Sequence, residues 1–360
     1  MRSRHAQIAA LVAAVVAVQL ATQLLGKPFF LTQLTMAAYA TLVVIGLSLL
    51  MGYAGQISLG HAGFFAIGGY SSAALTTLDL SPRRQEPLVA ALERMHLLVG
   101  RPDLYGGHPL GVHPWAAFAC AVLLAVGVAW LIGIPVLRLK GHTLAMATLG
   151  FGIIVHSIVL GTQGLGAADG ISSVPPFEIL PGLRVGGSVA SRLQNYYVAW
   201  GLVALGMLLL LNLVHSRVGR ALRSIHGAED AAGAMGVDTA RHKLATFVLS
   251  AAMAAVAGVF LTHFNGGIGP SEASVGKSVR YVAIVAVGGM GSLWGTLTLS
   301  AVLEFFSLRG WFGSLDDAVF GTILIAVMLF SPEGILHLDL RAAALGLLGR
   351  LRASKGRSVR

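Results

Sequence analysis

Apolar residues recur along the whole chain in long runs separated by short polar stretches. The runs fall at about 8–25, 29–51, 55–78, 115–137, 142–161, 196–214, 244–264, 279–307 and 316–331. Most of them approach the length of about 20 residues at which a helix crosses roughly 30 Å of hydrocarbon. The pattern predicts an all-α, polytopic integral membrane protein that forms a single transmembrane domain over residues 1–360, with eight to ten transmembrane helices.

The lysines and arginines of the short loops predict how the chain threads the membrane. If the first run is a retained span with a cytoplasmic N-terminus, the positive-inside rule places the 215–243 loop inside as well. Nine crossings would then leave the basic tail, 337–360, outside. We therefore expect an even number of spans, with the glycine-rich run 279–307 divided in two or re-entrant, and both termini cytoplasmic.

Two further loops are predicted on the external side. Residues 79–114 are nearly balanced in charge and predict a short amphipathic helix from about Glu86 to Val99. Residues 162–195 are rich in glycine, proline and serine, which predicts irregular structure. Neither loop is long enough for a catalytic domain, so an enzyme is disfavoured.

Composition narrows the function classes. Hydrophobic residues make up 56% of the chain and charged residues 11%, while the net charge is +10. The basic residues gather in short loops and at the two ends and do not form a groove-like patch with aromatic neighbours, which argues against nucleic-acid binding. Cys120 is the single cysteine, so an intrachain disulfide or a multi-cysteine metal site is excluded, and we interpret it as an inert buried thiol. The histidine spacing predicts no metal site.

A polar segment interrupts the apolar pattern near the middle of the chain. Residues 217–235 contain good helix formers and no proline, and Gly236 follows at the position where a left-handed cap is favoured. Asp238 or Thr239 can cap the next helix. The pattern predicts a short helix that lies across the inner face and is tied at both ends to membrane spans.

That helix suits contact with another protein better than contact with lipid. A basic surface helix can rest on anionic lipid. However, Ala231, Ala232 and Ala234 flank Gly233 and form a surface poor in side chains, which favours close docking against a protein partner.

The same segment resembles the EAA-type coupling loop of ATP-binding-cassette importer permeases, and in detail the permeases of branched-chain amino acid importers. The similarity runs from GRALRSI at 219–225 through Glu229, Ala231, Ala232 and Gly236 to KLATFVLSA at 243–251. Four other stretches are similar to the family: GYAGQISLGHAGFFAIGGY at 52–70, VLRLKGHTLAMATLGFG at 136–152, VGGMGSLWG at 287–295 and SPEGIL at 331–336. The chain looks more like the longer, LivM type than the other permease type.

The sequence departs from the family pattern at several positions. Ser224 and His226 stand where alanine and arginine are commoner, and Gly233 stands where a larger helix former is usual. The 79–114 loop is longer than the family pattern. These departures bear on the rigidity of the docking helix and on the external docking surface.

The resemblance implies a transport subunit of an importer for branched-chain or related amino acids in the bacterial cytoplasmic (inner) membrane. It implies two ATPase subunits, a second homologous permease and an extracytoplasmic solute-binding protein as partners. This chain would bind no cofactor, since ATP and Mg belong to the ATPases; SEASVGKSVR at 271–280 lacks the first glycine of a phosphate loop. The residues implied in ATPase coupling are Arg217, Gly219, Arg220, Arg223, Glu229, Asp230, Ala231, Ala232 and Gly236.

A second cluster of candidate residues lies in the glycine-rich stretch that begins at residue 52. Its members are Gly52, Gly55, Gln56, Ser58, Gly60 and His61. Small residues are the usual device for close helix packing in membranes. Alternatively, the amide, hydroxyl and imidazole groups line the solute path without a fixed charge. Both interpretations remain open from the sequence.

Two rival functions remain open as well. The same machinery could import urea or a short-chain amide. A stand-alone secondary transporter is the second alternative, and His156, His263 and Glu304 are the ionisable groups within apolar runs that such a transporter would use. So few groups make a proton relay the weaker interpretation.

Overall fold

The computed structural model describes residues 2–95, 97–100, 110–311 and 313–330. The predicted tail at 337–360, the SPEGIL motif and residues 101–109 of the predicted 79–114 loop lie outside the described residues.

Within the described residues the chain is mainly helical. The helices are α1 Arg2–Leu24, α2 Phe30–Ala54, α3 His61–Thr77, α4 Pro87–Arg94, α5 Pro114–Val136, α6 His142–Gly161, α7 Arg192–Val214, α8 Arg217–Gly227, α9 Glu229–Ala234, α10 Thr239–Asn265, α11 Val275–Gly288, α12 Leu293–Leu308 and α13 Asp316–Phe330. The strands are β1 Leu98–Gly100, β2 Leu110–Val112, β3 Ile171–Ser172, β4 Phe177–Leu180, β5 Leu183–Val185 and β6 Gly267–Ile268. They form three two-stranded antiparallel pairs: β1 with β2, β3 with β6, and β4 with β5.

The apolar runs correspond to helices, which confirms the predicted all-α membrane fold. Six of the described helices are long and apolar enough to span a membrane: α1, α2, α5, α6, α7 and α10. The run 279–307 is divided into α11 and α12 at residues 289–292, as its glycines predict. The run 55–78 is helical only from His61, because residues 55–60 form an extended connection after Gly55 ends α2 in a left-handed conformation.

Helix α12 runs antiparallel to α2, and a ladder of hydrogen bonds joins them. Gln33 Nε2 donates to Leu308 O over 3.3 Å, Thr41 Oγ1 to Ser300 Oγ over 3.1 Å, and Tyr53 Oη to Gly291 O over 2.9 Å. Between the last two, the hydroxyls of Ser48 and Thr296 lie 3.2 Å apart. These hydroxyl pairs satisfy polar groups at membrane depth, where water offers no alternative partner.

These hydrogen bonds also show at which face of the bundle α11, α12 and α13 begin and end. The break at 289–292 lies beside Tyr53 at the end of α2, on the face that carries α8 and α9. Arg280, Ser307 and Asp316 meet near the opposite face, where the guanidinium of Arg280 lies 3.0 Å from Ser307 Oγ and 3.3 Å from Asp316 Oδ2. Helix α13 starts there, and α1–α3, α5–α7 and α10–α13 are the ten described helices that correspond to the apolar runs, six of them long and apolar enough to span a membrane.

Helix α2 lies at the centre of the bundle. Of its most apolar window, 89% is buried, whereas the corresponding value for α1 is 17%. Helices α7, α10, α11 and α12 surround α2. The core is therefore built around an early helix that has little surface left for lipid.

In their described parts, the two loops predicted on the external side are more ordered than the sequence predicts. The predicted helix at 86–99 is shorter and ends at Arg94, because Leu98–Gly100 pairs with Leu110–Val112. The prediction of irregular structure at 162–195 is wrong in part: β4 and β5 form a hairpin, β3 pairs with β6, and α7 begins at Arg192. Phe177 is fully buried and packs against Phe260 and Trp115, so this hairpin caps the bundle.

The prediction that Cys120 is buried is wrong. Its side chain is exposed on α5 and lines an apolar groove of about 980 Å³ between α3, α5 and α6. Helix α5 is apolar on all sides, so its sequence does not distinguish an exposed position from a core position.

Candidate functional site

The polar segment predicted as one helix forms two, α8 and α9. Ala228 separates them in an extended conformation, with φ −158° and ψ 97°. Ser216 caps α8 by accepting from Val218 N, and Asp238 caps α10 by accepting from Arg241 N, as predicted for Asp238. Gly236 takes the predicted left-handed conformation at φ +85°. The element therefore has a hinge at Ala228 that the sequence does not reveal, since alanine is the best helix former.

Helix α8 is amphipathic and lies with one side against the bundle. Leu222 and Ile225 are buried, and Gly219 is so close to Val214 that a Cβ there would be 2.1 Å from the Val214 carbonyl oxygen. The three arginines of the predicted coupling set, Arg217, Arg220 and Arg223, are exposed. Arg223 Nη2 also donates to Val214 O over 3.2 Å. Helix α8 thus packs against the bundle on one side, and its three arginine side chains are exposed.

Helix α9 is tied to α10 by a partly buried ion pair. Lys243 Nζ donates to Glu229 Oε1 over 2.8 Å, and the two side chains are 6% and 26% exposed. The sequence contains Lys243 within a motif but offers no indication that it pairs with Glu229, because the partners are 14 residues apart.

A second ion pair ties α9 to the turn between α5 and α6. Lys140 Nζ donates to Asp230 Oδ1 over 3.0 Å, with 61% and 91% of the side chains exposed. The hydrogen bond and charge of Asp230 raise the pKa of Lys140. An exposed pair of this kind adds little to the stability of the fold, because solvent screens both charges.

The alanines of α9 do not share one surface. Ala232 is 5% exposed and packs within this chain, whereas Ala231, Gly233, Ala234 and Gly236 are exposed. The side-chain-poor surface available to a partner therefore consists of Ala231, Gly233 and Ala234, and Ala232 lies on the inward side. A six-residue helix of small residues has no apolar periodicity from which this orientation follows.

The glycine segment, defined here as residues 52–63, touches three other motifs. A Cβ on Gly52 would lie 1.3 Å from Met290 O, in the break between α11 and α12. A Cβ on Gly60 would lie 2.7 Å from Thr148 O on α6, and one on Gly55 would lie 2.9 Å from the Nδ1 of His226 on α8. Each glycine is needed for a close backbone approach. The glycine segment thereby joins α6, α8 and the α11–α12 break.

Two of the predicted path residues are held in a buried hydrogen-bond chain. His61 Nε2 lies 2.7 Å from Ser250 Oγ on α10, and its Nδ1 lies 3.1 Å from Ser58 Oγ. All three side chains are at most 1% exposed. Thr148 Oγ1 accepts from Leu59 N over 2.9 Å. The sequence does not predict the hydrogen bonds of Ser250 and Thr148 with the glycine segment, because these bonds depend on how α6 and α10 pack against it.

Gln56 differs from its neighbours. Its side chain is 2% exposed, and neither Nε2 nor Oε1 has a hydrogen-bond partner among the described residues. An unpaired buried amide is costly, so it calls for a functional or hydration partner. Close packing accounts for the glycines of this segment, and Gln56 is the member with capacity left to bind a solute.

Three ionisable groups lie within the apolar runs, as the sequence predicts. His263 Nδ1 donates to Pro175 O over 2.7 Å, and its Nε2 accepts from Ser72 Oγ over 2.8 Å. His156 Nδ1 lies 3.1 Å from Pro270 O. Glu304 is buried on α12. Both ring nitrogens of His263 therefore take part in hydrogen bonds within the protein. In the part of the chain that the structure describes, no group of three His, Cys, Asp or Glu side chains is placed to hold a metal ion.

These features define a multi-pass α-helical membrane permease: spanning helices around a buried centre, glycine-mediated contacts at membrane depth, and a polar two-helix element on one face. The model of the family described as branched-chain amino acid transport system, permease component, matches residues 29–328. The chain belongs to this family, which confirms the resemblance stated from the motifs.

Individual relatives support the same assignment. The chain is 30% identical over 323 residues to the high-affinity branched-chain amino acid transport system permease protein LivM of Salmonella typhimurium, covering 84% of this chain and 68% of that one. It is 29% identical over 328 residues to LivH of Escherichia coli, covering 86% and 96%. It is 26% identical over 312 residues to BraD of Pseudomonas aeruginosa, covering 84% and 93%. No solved structure matches.

Proposed function

We propose that this chain is the transmembrane permease subunit of an ATP-binding-cassette importer that moves branched-chain or related hydrophobic amino acids inward. One observation carries the proposal: the α8–α9 element contacts three separate parts of the bundle. Asp230 reaches the α5–α6 turn, Glu229 reaches α10, and His226 packs against Gly55 at the end of α2. A displacement of this element by a partner would therefore move several helices together.

The exposed side of the element has the chemistry of a protein-docking surface. Arg217, Arg220 and Arg223 would pair with acidic groups of an ATPase subunit, and the small residues around Ala231 would allow close approach. Gly219 and Ala232 lie on the inward side, where they allow α8 and α9 to pack closely against the bundle. ATP hydrolysis with Mg belongs to two ATPase subunits, so this chain is a transport subunit without bound cofactors.

Transport would follow from closure of the two ATPases. Their approach would shift both α8–α9 elements, and the ion pairs and the His226 contact would transmit the shift to α10, the α5–α6 turn and the glycine segment. A second homologous permease would complete the path, and a solute-binding protein would deliver the amino acid from outside. The glycine segment would line the path through Gln56, the side chain with an unused amide.

The orientation follows from the docking role. ATPases act in the cytoplasm, so the face with α8 and α9 is cytoplasmic and the β4–β5 hairpin is external. Our proposal puts both termini in the cytoplasm of a bacterial cell, with the chain as one domain in the inner membrane. The six apolar spans and the permease relatives support this multi-pass location.

The test is co-expression of the tagged permease with its genomic neighbours, followed by purification, ATPase assay and reconstituted uptake of leucine and urea. The informative variant is Ala231→Glu, because Ala231 is exposed. We expect it to lose ATPase subunits during purification while the permease remains monodisperse. Ala240→Glu is the matched control, since Ala240 is exposed in the first turn of α10.

The outcomes separate the alternatives. Recovery of ATPases with wild type and the control, but not with Ala231→Glu, would establish the importer and its docking element. Uptake of urea instead of leucine would change only the solute. Purification without ATPases, together with uptake driven by an ion gradient, would overturn the proposal in favour of a stand-alone transporter.

A further inference from the structure

A cavity of about 250 Å³ opens on the face opposite α8 and α9, where α2 and α7 begin and α10 ends. Its walls include Thr32, Met36, Arg192, Asn195, Phe264 and Asn265. A cavity of this volume has room for one small metabolite.

The cavity is lined by one cationic side chain and by the end of a helix. Arg192 is the charged residue among the described residues that line it, and it is the first residue of α7. A guanidinium is the preferred partner of a carboxylate. Helix α10 ends at Asn265, which also lines the cavity, and its backbone carbonyls form the negative end of a 27-residue helix. The lining thus offers a full positive charge to an anionic group and a partial negative charge to a cationic one.

Two apolar side chains contribute to the wall of the cavity. Met36 and Phe264 line the cavity from α2 and α10, and the ring of Phe264 packs against Tyr39 with centroids 6.3 Å apart. Phe264 is 4% exposed, so its position is fixed by the core. An aliphatic side chain next to the two charged groups of a zwitterion would be buried against this wall.

The rim of the cavity is already organised by hydrogen bonds. The buried Asn195 side chain donates from Nδ2 to Gly186 O over 2.6 Å and accepts from Gly186 N over 3.3 Å. Ser191 Oγ lies 2.7 Å from Ser188 Oγ, and Ser188 itself lines the cavity. Small-ligand sites are usually preformed in this way, with few polar groups placed among apolar ones.

We propose that this cavity is an external subsite for a single free amino acid with an aliphatic side chain, in which Arg192 binds the carboxylate and the end of α10 with Asn265 receives the ammonium group. The inference rests on the proposed function and names the substrate class at the external end of the path. The subsite would hold the solute between its release by a binding protein and its passage between the helices.

A neighbouring cavity supplies a matched comparison. It has about 350 Å³, shares Gly187 and Ser188 with the first, and is lined by Arg184. Arg184 Nε already donates to Glu178 Oε1 over 3.0 Å, so its charge is matched by a carboxylate of the same hairpin. Arg184 does not line the 250 Å³ cavity, and its removal leaves the proposed subsite intact.

The test is equilibrium binding of tritiated leucine to the purified permease in lipid nanodiscs, without a binding protein. We expect saturable binding that Arg192→Gln weakens about 10- to 100-fold, the worth of one charge-assisted hydrogen bond. Arg184→Gln should bind as wild type does, and Arg192→Lys should recover part of the loss. 4-Methylpentanoate, which lacks the ammonium group, should compete better than 3-methylbutylamine, which lacks the carboxylate.

Three results would overturn the subsite: no saturable leucine binding, equal losses in the two glutamine variants, or competition by the amine equal to that by the acid. If Arg192→Gln is not monodisperse, Met36→Trp, which fills the apolar wall, serves as the second variant with the same expected loss. Leucine uptake by the complete importer is measured in parallel. Uptake without binding to the permease alone defeats only the subsite, whereas absence of amino acid uptake defeats the proposed function.

Discussion

Lys243 donates a hydrogen bond to Glu229 over 2.8 Å at the joint between α9 and α10. The two partners are unequally buried, because the lysine side chain is 6% exposed and the glutamate side chain is 26% exposed. Removing one partner leaves the other uncompensated, and the cost depends on whether the remaining charge can reach water. The pair therefore joins α9 to α10, the longest described helix, through one partner that is well buried and one that reaches solvent.

That asymmetry predicts different costs for the two single substitutions. Glu229→Leu leaves the buried ammonium group without a partner and should lower the free energy of unfolding by about 2–4 kcal/mol. Lys243→Met leaves a carboxylate that reaches solvent and should cost about 1 kcal/mol. Thermal unfolding of the detergent-solubilised protein measures both. Recovery of stability in the double variant is the control, and equal costs for the two single variants would contradict the prediction.

The exposed pair between Lys140 and Asp230 should behave differently. Asp230→Asn should lower the free energy of unfolding only slightly, and high salt should reduce that effect. Since Asp230 raises the pKa of Lys140, the stabilisation is present below the ordinary lysine pKa and is lost as the pH rises through the raised value. Thermal unfolding at pH 6, 7 and 8 should therefore show a constant contribution. A marked change within that window would argue against this pairing.

Gly52 should tolerate no side chain. Gly52→Ala would place a Cβ 1.3 Å from Met290 O, so either the end of α2 or the α11–α12 break must move. We expect a loss of stability of more than about 2 kcal/mol and a loss of transport, as for overpacking against backbone. Gly201→Ala on α7 is the matched control, because nothing lies within 4 Å of its added Cβ. That variant should be neutral or more stable by up to about 1 kcal/mol.

Gln56 allows packing and path lining to be separated. Gln56→Met keeps the size of the side chain and removes the unpaired amide, so the free energy of unfolding should rise by about 1–3 kcal/mol. If the amide contacts solute, leucine uptake should fall in the same variant. Thermal unfolding and uptake are measured on one preparation. Higher stability with unchanged uptake would assign the segment to packing alone, and Ile57→Met, at an exposed neighbouring position, is the control.

The sequence predicts the membrane architecture well because hydropathy and length act locally. The runs, the break in 279–307, the cap at Asp238 and the left-handed Gly236 all follow from properties of a few adjacent residues. Bilayer thickness sets the length of a span, and glycine sets where the backbone can turn. The family assignment follows from motifs of the same local kind.

The remaining features depend on packing between distant segments. Ala228 interrupts the docking helix although alanine favours helix, because α8 and α9 are each held by different parts of the bundle. Ala232 points inward for the same reason. The partners of His61 and Gly52 lie on α10 and in the α11–α12 break, about 190 and 240 residues away. Such contacts have no signature within either segment.

The burial of α2 has a consequence for biogenesis. This helix leaves the ribosome early, whereas α7, α10 and α12, which enclose it, are synthesised afterwards. Thr41 and Ser48 pair with Ser300 and Thr296, about 250 residues later. The nascent α2 must therefore remain next to lipid or an insertion factor until the final third of the chain has emerged. Truncation before α12 would leave α2 inserted but without α12 packed against it. The packing of α2 can therefore be completed only after the last third of the polypeptide has been synthesised.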